Sequence, residues 1–182
     1  MSQQFGEIRQ IAFVVPNIDS AMQYWATTLG IGPFFIKRKI QLDNFEYRGK
    51  ASASPVISIA LANSGALQIE LIEQHDMQPS IFLEFLQRQP TGGLQHIAAW
   101  LSRTEFEQRK TALITQGYQV AQAGKISSSG VELLYFATEQ DQTGVIFEIA
   151  NLAEPEHSPR LEKIAQAAQQ WDQATIAIEV QQ

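Results

Sequence analysis

In this chain of 182, four residues of types that bind metal ions or move protons each sit inside a strongly apolar run. They are Gln10 in Ile8-Arg9-Gln10-Ile11-Ala12, Glu70 in Leu67-Gln68-Ile69-Glu70-Leu71, His96 in Leu94-Gln95-His96-Ile97-Ala98, and Glu148 in Val145-Ile146-Phe147-Glu148-Ile149. Side chains alternate across a strand, so Gln10 shares a face with Ala12 and Val14, and Glu70 with Gln68 and Ile72. Carboxylates placed among such neighbours are costly unless compensated, and one shared cation compensates both. One amide oxygen, two carboxylates and one imidazole form a set whose two negative charges neutralise a divalent ion. An ion so held can take two substrate oxygens and stabilise enolate-like charge, which eases removal of an adjacent proton. Taken singly, each residue has a plainer reading: a glutamate on a solvent face, a polar edge residue, a satisfied core histidine. What joins them is an internal repeat.

The repeat lies in the elements that would position these residues. A strand over Ile8 to Val15 ends at Pro16-Asn17, and a helix capped by Asp19 follows, with Met22, Trp25 and Leu29 on one stripe and Gly30 as a left-handed stop. Strands are expected at Phe34 to Ile40, Val56 to Asn63 and Leu67 to Gln74, while 41–55 has no assigned element. The second copy starts after Thr91-Gly92-Gly93 with a strand to Leu101. Ser102 and Glu105 then form a capping box on a helix that presents Phe106, Lys110 and Leu113 and stops at Gly117. Strands at Tyr118 to Ile126, Val131 to Thr138 and Val145 to Asn151 complete it. The fold class is therefore α+β, two tandem βαβββ modules, with module one over 6–76, a connecting helix over 79–90 and module two over 92–152. Together these make one domain over 1–152. Residues 153–182 form a C-terminal helical extension, with Ser158-Pro159 opening a helix and Leu161, Ile164, Ala168 and Trp171 on its apolar side. It is expected to dock on the domain or on a second subunit.

Composition narrows the function classes. Thirteen basic residues against nineteen acidic ones leave a net charge of −6, which disfavours nucleic acid and acidic lipid surfaces. There is no cysteine, so a metal would rest on nitrogen and oxygen ligands. With neither a leader-like amino terminus nor an apolar run of roughly twenty residues, the expected location is cytoplasmic, with no membrane partner.

The run Ile11-Ala12-Phe13-Val14-Val15-Pro16-Asn17-Ile18-Asp19, with Tyr24-Trp25 and Leu29-Gly30 after it, resembles the opening of the vicinal-oxygen-chelate superfamily: glyoxalase I, methylmalonyl-CoA epimerase and bleomycin-resistance proteins. Gly93-Leu94-Gln95-His96-Ile97-Ala98 resembles the start of its second module, and the glutamates of Ile69-Glu70-Leu71 and Phe147-Glu148-Ile149 match its strand-borne ligands. The resemblance spans Ile8 to Asn151. It implies a metal site of Gln10, Glu70, His96 and Glu148, an order like that of zinc glyoxalase I, so the divalent ion is expected to be zinc, with nickel, cobalt or manganese as alternatives. It also implies that Glu148 or Glu70 is the catalytic proton acceptor. The segment Leu71-Ile72-Glu73-Gln74 is closer to the epimerase pattern, and the Asn-Trp-Gly segment of glyoxalase I is absent. The expected function is a metal-dependent isomerase, epimerase or lyase acting on a small 2-oxo or 2-hydroxy carbonyl compound or thioester. The alternative is a metal-free small-molecule or drug-binding protein of the bleomycin-resistance type. The resemblance further implies a homodimer, for which Trp171 offers an apolar surface.

Around the ligands, Trp100 lies four residues after His96 on the same face and is a candidate for substrate binding. Phe34, Phe35, Tyr47 and Tyr135 are further candidates for the cavity wall, with core packing as the plainer reading. Arg48 and Lys125 are candidates for an anionic substrate group, against the reading of solvated loop charges. His75 and His157 have no partner at the repeat-related position and read as surface residues.

Overall fold

Alternation of apolar residues makes Ile8–Val14 the first strand, β1, with Gln10, Ala12 and Val14 turned to a buried side. The computed structural model describes residues 4–140, 144–152 and 158–180. Helix α1 (Ile18–Leu29) is capped by Asn17, whose side chain accepts from the Ser20 amide, and not by Asp19, which instead pairs with Arg38. Its buried stripe is Ile18, Met22 and Ala26, so the expected line through Leu29 is rotated outward, and Gly30 supplies the left-handed stop at φ 67°.

Strands β2 (Phe34–Ile40), β3 (Leu42–Tyr47), β4 (Lys50–Ala51), β5 (Ile57–Ser64) and β6 (Leu67–Gln74) follow, then helix α2 (Ile81–Arg88). The second module contributes β7 (Gly93–Leu101), α3 (Arg103–Thr115), β8 (Val120–Ile126), β9 (Glu132–Phe136) and β10 (Ile146–Asn151). The Ser102–Glu105 capping box on α3 is present as expected. The tail adds helix α4 (Pro159–Gln169) and strand β11 (Ala177–Glu179). Ser158 stands at the start of α4 but makes no side-chain cap bond.

The described strands form one continuous sheet in the order β11-β2-β5-β6-β1-β7-β10-β9-β8-β3-β4. Its centre is symmetric: β1 and β7 run antiparallel side by side, β1 pairs in parallel with β6, and β7 pairs in parallel with β10. Outward from there, β5 and β2 mirror β9 and β8. The repeat read from the sequence is thus the two-fold relation of the sheet.

Two departures from the expected layout occur at its edges. The segment without an assigned element holds β3, which leaves its own module and pairs with β8 of the other, so that Leu42 sits opposite Ile126 and Glu46 opposite Ala123. At the opposite edge the tail is more than helical, because β11 pairs in parallel with β2. The Arg38 Nε to Glu179 Oε1 ion pair of 2.8 Å supports that join.

One face of the sheet is covered by α1 over Phe34, Ile36, Ala60 and Leu71, and by α3 over Leu134, Phe136 and Ile149. The other face packs with α2 and α4, through Ile81, Phe82 and Ile164, against Phe35, Ile59, Leu61, Ile72 and Tyr135. By strand parity Gln10, Glu70, His96 and Glu148 all belong to this second face. Among the described residues no helix is long and apolar enough to cross a membrane.

Trp171, read as a surface for a partner, is half-buried and has contacts within the chain. A Cβ on Gly32 would lie 2.8 Å from its ring, and its indole nitrogen donates to the Thr175 carbonyl at 2.7 Å.

Candidate metal centre

The four ligand candidates occupy the four central strands, and the pairing register explains how they meet. Gln10 on β1 and Glu148 on β10 are both level with Ala98 of β7, while Glu70 on β6 and His96 on β7 are both level with Ala12 of β1. Two rows of polar side chains thus flank two buried alanines, Ala12 and Ala98, whose small side chains leave room for the longer ones to converge. Ligand atoms of Glu70, His96 and Glu148 lie within 4.8 Å of one another, and all three residues are buried. The Gln10 amide nitrogen donates to Gln68 Oε1 at 2.8 Å, which leaves its own Oε1 as the atom able to face a cation.

A β-bulge orients the histidine. The β1–β7 register shifts between Ala12 and Phe13, so Gln95 is the extra residue and comes round beside His96. Gln95 Oε1 lies 2.6 Å from His96 Nδ1, which fixes the Nδ1 proton there and aims Nε2 at the carboxylates. Tyr135 packs edge-on against the imidazole at 5.2 Å between ring centres.

His96 Nε2 stands 2.9 Å from Glu148 Oε2 and 3.3 Å from Glu70 Oε2. Burial works against a charged imidazole, yet the Glu148 and Glu70 carboxylates beside it raise His96 to about 9. Burial likewise pushes the Glu148 carboxyl up, only partly offset by His96. The Tyr135 hydroxyl is held well above its ordinary range by burial and by the same two carboxylates.

The arrangement fits a divalent ion. His96 Nε2 and Glu148 Oε2 are fully buried and face each other without satisfying hydrogen-bond geometry, so both have lone-pair or donor capacity left unused in the fold. Nitrogen and oxygen donors with two negative charges are the chemistry such an ion requires.

Gln10, Glu70 and Glu148 form the floor of a cavity of about 330 Å³, at the small end of ligand pockets, with His96 buried beside them. Gln10, Gln68, Glu70, Tyr135 and Glu148 line it below, and Trp100, Phe35, Ile59, Leu61 and Leu133 form apolar walls. Arg9 lies over the Trp100 ring at 5.6 Å. Of the other candidate residues, Phe34 is buried on the opposite face of the sheet, and Tyr47, Arg48 and Lys125 are not among the lining residues. Residue parity carries the signal for Phe34 and Phe35, since neighbours on a strand cannot both face the cavity. Gln68 was legible in the same way, two residues before Glu70. His75 contacts Ser58 and Glu73 at the chain surface, and His157 lies outside the described residues.

Arg48 has partners of its own. It reaches Glu84 Oε2 at 2.6 Å and Glu139 Oε1 at 2.7 Å, and the Tyr47 hydroxyl donates to Glu84. The Glu139 side chain is only 4% exposed, so Arg48→Ala is expected to leave a buried carboxylate unpaired. Since Arg48 itself is a third exposed, the expected loss is about 2 kcal/mol, measured by urea unfolding. Burial would raise the Glu84 carboxyl, but Arg48 and Tyr47 outweigh it and hold it below its usual range. That part of the stability is present above the ordinary carboxylate range and is lost as pH falls through the depressed value.

Residues 9–135 match the glyoxalase/bleomycin resistance protein/dioxygenase superfamily. The chain belongs to this superfamily. Among solved structures, a methylmalonyl-CoA epimerase from Mycobacterium tuberculosis is similar at 19% identity and a TM-score of 0.58, over 90% of this chain and 95% of that one. A hypothetical protein from Bacillus halodurans C-125 is similar at 19% identity and 0.57, over 84% and 98%. A methylmalonyl-CoA epimerase in complex with methylmalonyl-CoA and ammonium gives 15% identity and 0.50, over 82% and 96%. At these identities the likeness concerns the superfamily fold. Among curated proteins no match is found.

Proposed function

We propose that the protein is a metal-dependent proton-transfer enzyme, an isomerase, epimerase or lyase, acting on a small 2-oxo or 2-hydroxy carbonyl compound or thioester. The observation that carries this reading is the convergence of Glu70, His96 and Glu148 ligand atoms within 4.8 Å, with both carboxylates lining a cavity. Similarity in fold to methylmalonyl-CoA epimerases supports it.

Gln10, Glu70, His96 and Glu148 would hold the ion, zinc before nickel, cobalt or manganese. When bound, the ion supplies Lewis-acid stabilisation of negative charge on a carbonyl oxygen. The chain's own part is proton handling. Glu148 opens onto the cavity, and the burial that raises its carboxyl makes it a stronger base than a solvated glutamate. Glu70 enters from the other side of His96, so one carboxylate can take a proton and the other return one. Gln95 holds the His96 ring, and Trp100 and Phe35 keep water away from the exchanged proton.

Incubation of the metal-loaded protein in deuterium oxide with 2-oxo and 2-hydroxy acids and their thioesters tests this reading. Exchange of the proton next to the carbonyl is expected for at least one of them, lost on chelation and restored by the ion. Absence of exchange across the whole set contradicts it.

A further inference from the structure

The floor of the cavity is acidic, but its rim is not. Lys37 on β2 and Arg160 and Lys163 on α4 line the cavity opposite Glu70 and Glu148. Among the described residues none of the three is within ion-pair distance of a carboxylate, in a chain whose net charge is −6. Lys37 donates to Ser128 Oγ at 2.6 Å, and Lys163 lies over the Phe35 ring at 5.8 Å, so both have neutral neighbours that position them. Burial first, and the Arg160 charge second, lower the Lys37 ammonium from its ordinary value, while burial lowers Arg160 against the opposing pull of Glu70 on the cavity floor.

The placement of α4 is fixed at its middle and beyond its C-terminal end. Ile164 is 2% exposed in the core, and β11 is hydrogen-bonded to β2, the strand that carries Lys37. Leu161 and Ile164 line the cavity on the same side as Arg160 and Lys163. The tail therefore roofs the site and delivers two of its three cations.

We infer that Lys37, Arg160 and Lys163 form an anion receptor at the cavity rim, and that the substrate is a small amphipathic oxyanion. Its carboxylate or phosphate head meets these three residues, and its apolar body fills the walls above the metal centre. Charge-assisted hydrogen bonds from Arg and Lys suit either head group. The inference deepens the proposed function by giving the substrate a class, and it rests on that reading only in assigning the cavity to a substrate.

Calorimetric titration of the full chain with 4-phenylbutyrate, 3-phenylpropyl phosphate and the neutral 4-phenylbutyramide tests it. Chelator is kept present so that no carboxylate can bind a metal. At least one of the two anions is expected to bind about tenfold more tightly than the amide, and the tighter one names the head group. The preference is expected to vanish in an Arg160→Gln, Lys163→Gln double variant, to persist in Arg160→Lys, and to weaken as salt is added. Equal binding of amide and anions, no binding of any of the three, or a preference that survives the double variant would overturn the inference. So would a preference that appears only with metal, an outcome that leaves the proposed function standing. Anion preference in a protein that never takes up metal has the opposite meaning: the receptor stands and the proton-transfer reading fails.

Discussion

Glu148→Gln is expected to abolish metal-dependent proton exchange and to lower affinity for a divalent ion by a factor on the order of 100 or more. Changes one shell further out typically cost 10–100-fold, and this one removes a ligand and its charge. It also removes the base, since an amide cannot accept the proton. The stability outcome separates this from a folding defect. Burial raises the Glu148 carboxyl and so disfavours its ionised form in the metal-free fold, while loss of its 2.9 Å pairing with His96 acts in the opposite direction. Glu70 stays 3.3 Å from His96, so in chelator the variant is expected to remain folded and to lose less stability than His96→Ala does. A variant that retains exchange contradicts the role assigned to Glu148.

His96→Ala is expected to have the largest effect on the metal-free fold. His96 is completely buried between two carboxylates, and removing it leaves them facing each other with no cation. Breaking a buried ion pair in this way costs about 3–5 kcal/mol, or roughly 10 °C in Tm for a chain of this size. The pH dependence has a definite sign. The imidazole is raised to about 9 in the fold against an ordinary value of 6.5, so its contribution is fully present below pH 6.5 and is lost as pH rises through 9. Melting curves in chelator at several pH values are therefore expected to show the gap between parent and variant closing on the alkaline side. A gap that widens there contradicts the placement of the imidazolium.

The central strands were legible because they encode themselves twice. Period-two alternation puts Gln10 and Glu70 on a definite face, and the second copy repeats the pattern at His96 and Glu148, so local residues and one internal comparison suffice. The capping box at Ser102 and the stop at Gly30 were legible for the same local reason. The cap of α1 was not, since Asn17 and Asp19 are both good caps and the choice turned on Arg38, nineteen residues beyond Asp19. The crossing of β3 to β8 depends on a partner about eighty residues away, which no local pattern specifies. The cationic rim was hidden for a related reason. Arg160 and Lys163 lie on a helix outside the repeat, so nothing in the sequence says which face of the domain receives them. Arg48 and Lys125 were the candidates for an anionic group, whereas Arg48 is tied to Glu84 and Glu139.

The most direct test of the metal centre is the metal content of the purified full chain by plasma mass spectrometry, beside Glu70→Gln and His96→Ala. About one divalent ion per chain in the parent, lost in both variants, is the expected result. A folded parent that takes up no ion even after reconstitution, or variants that keep it, would contradict the account and favour a cavity that binds its ligand without chemistry.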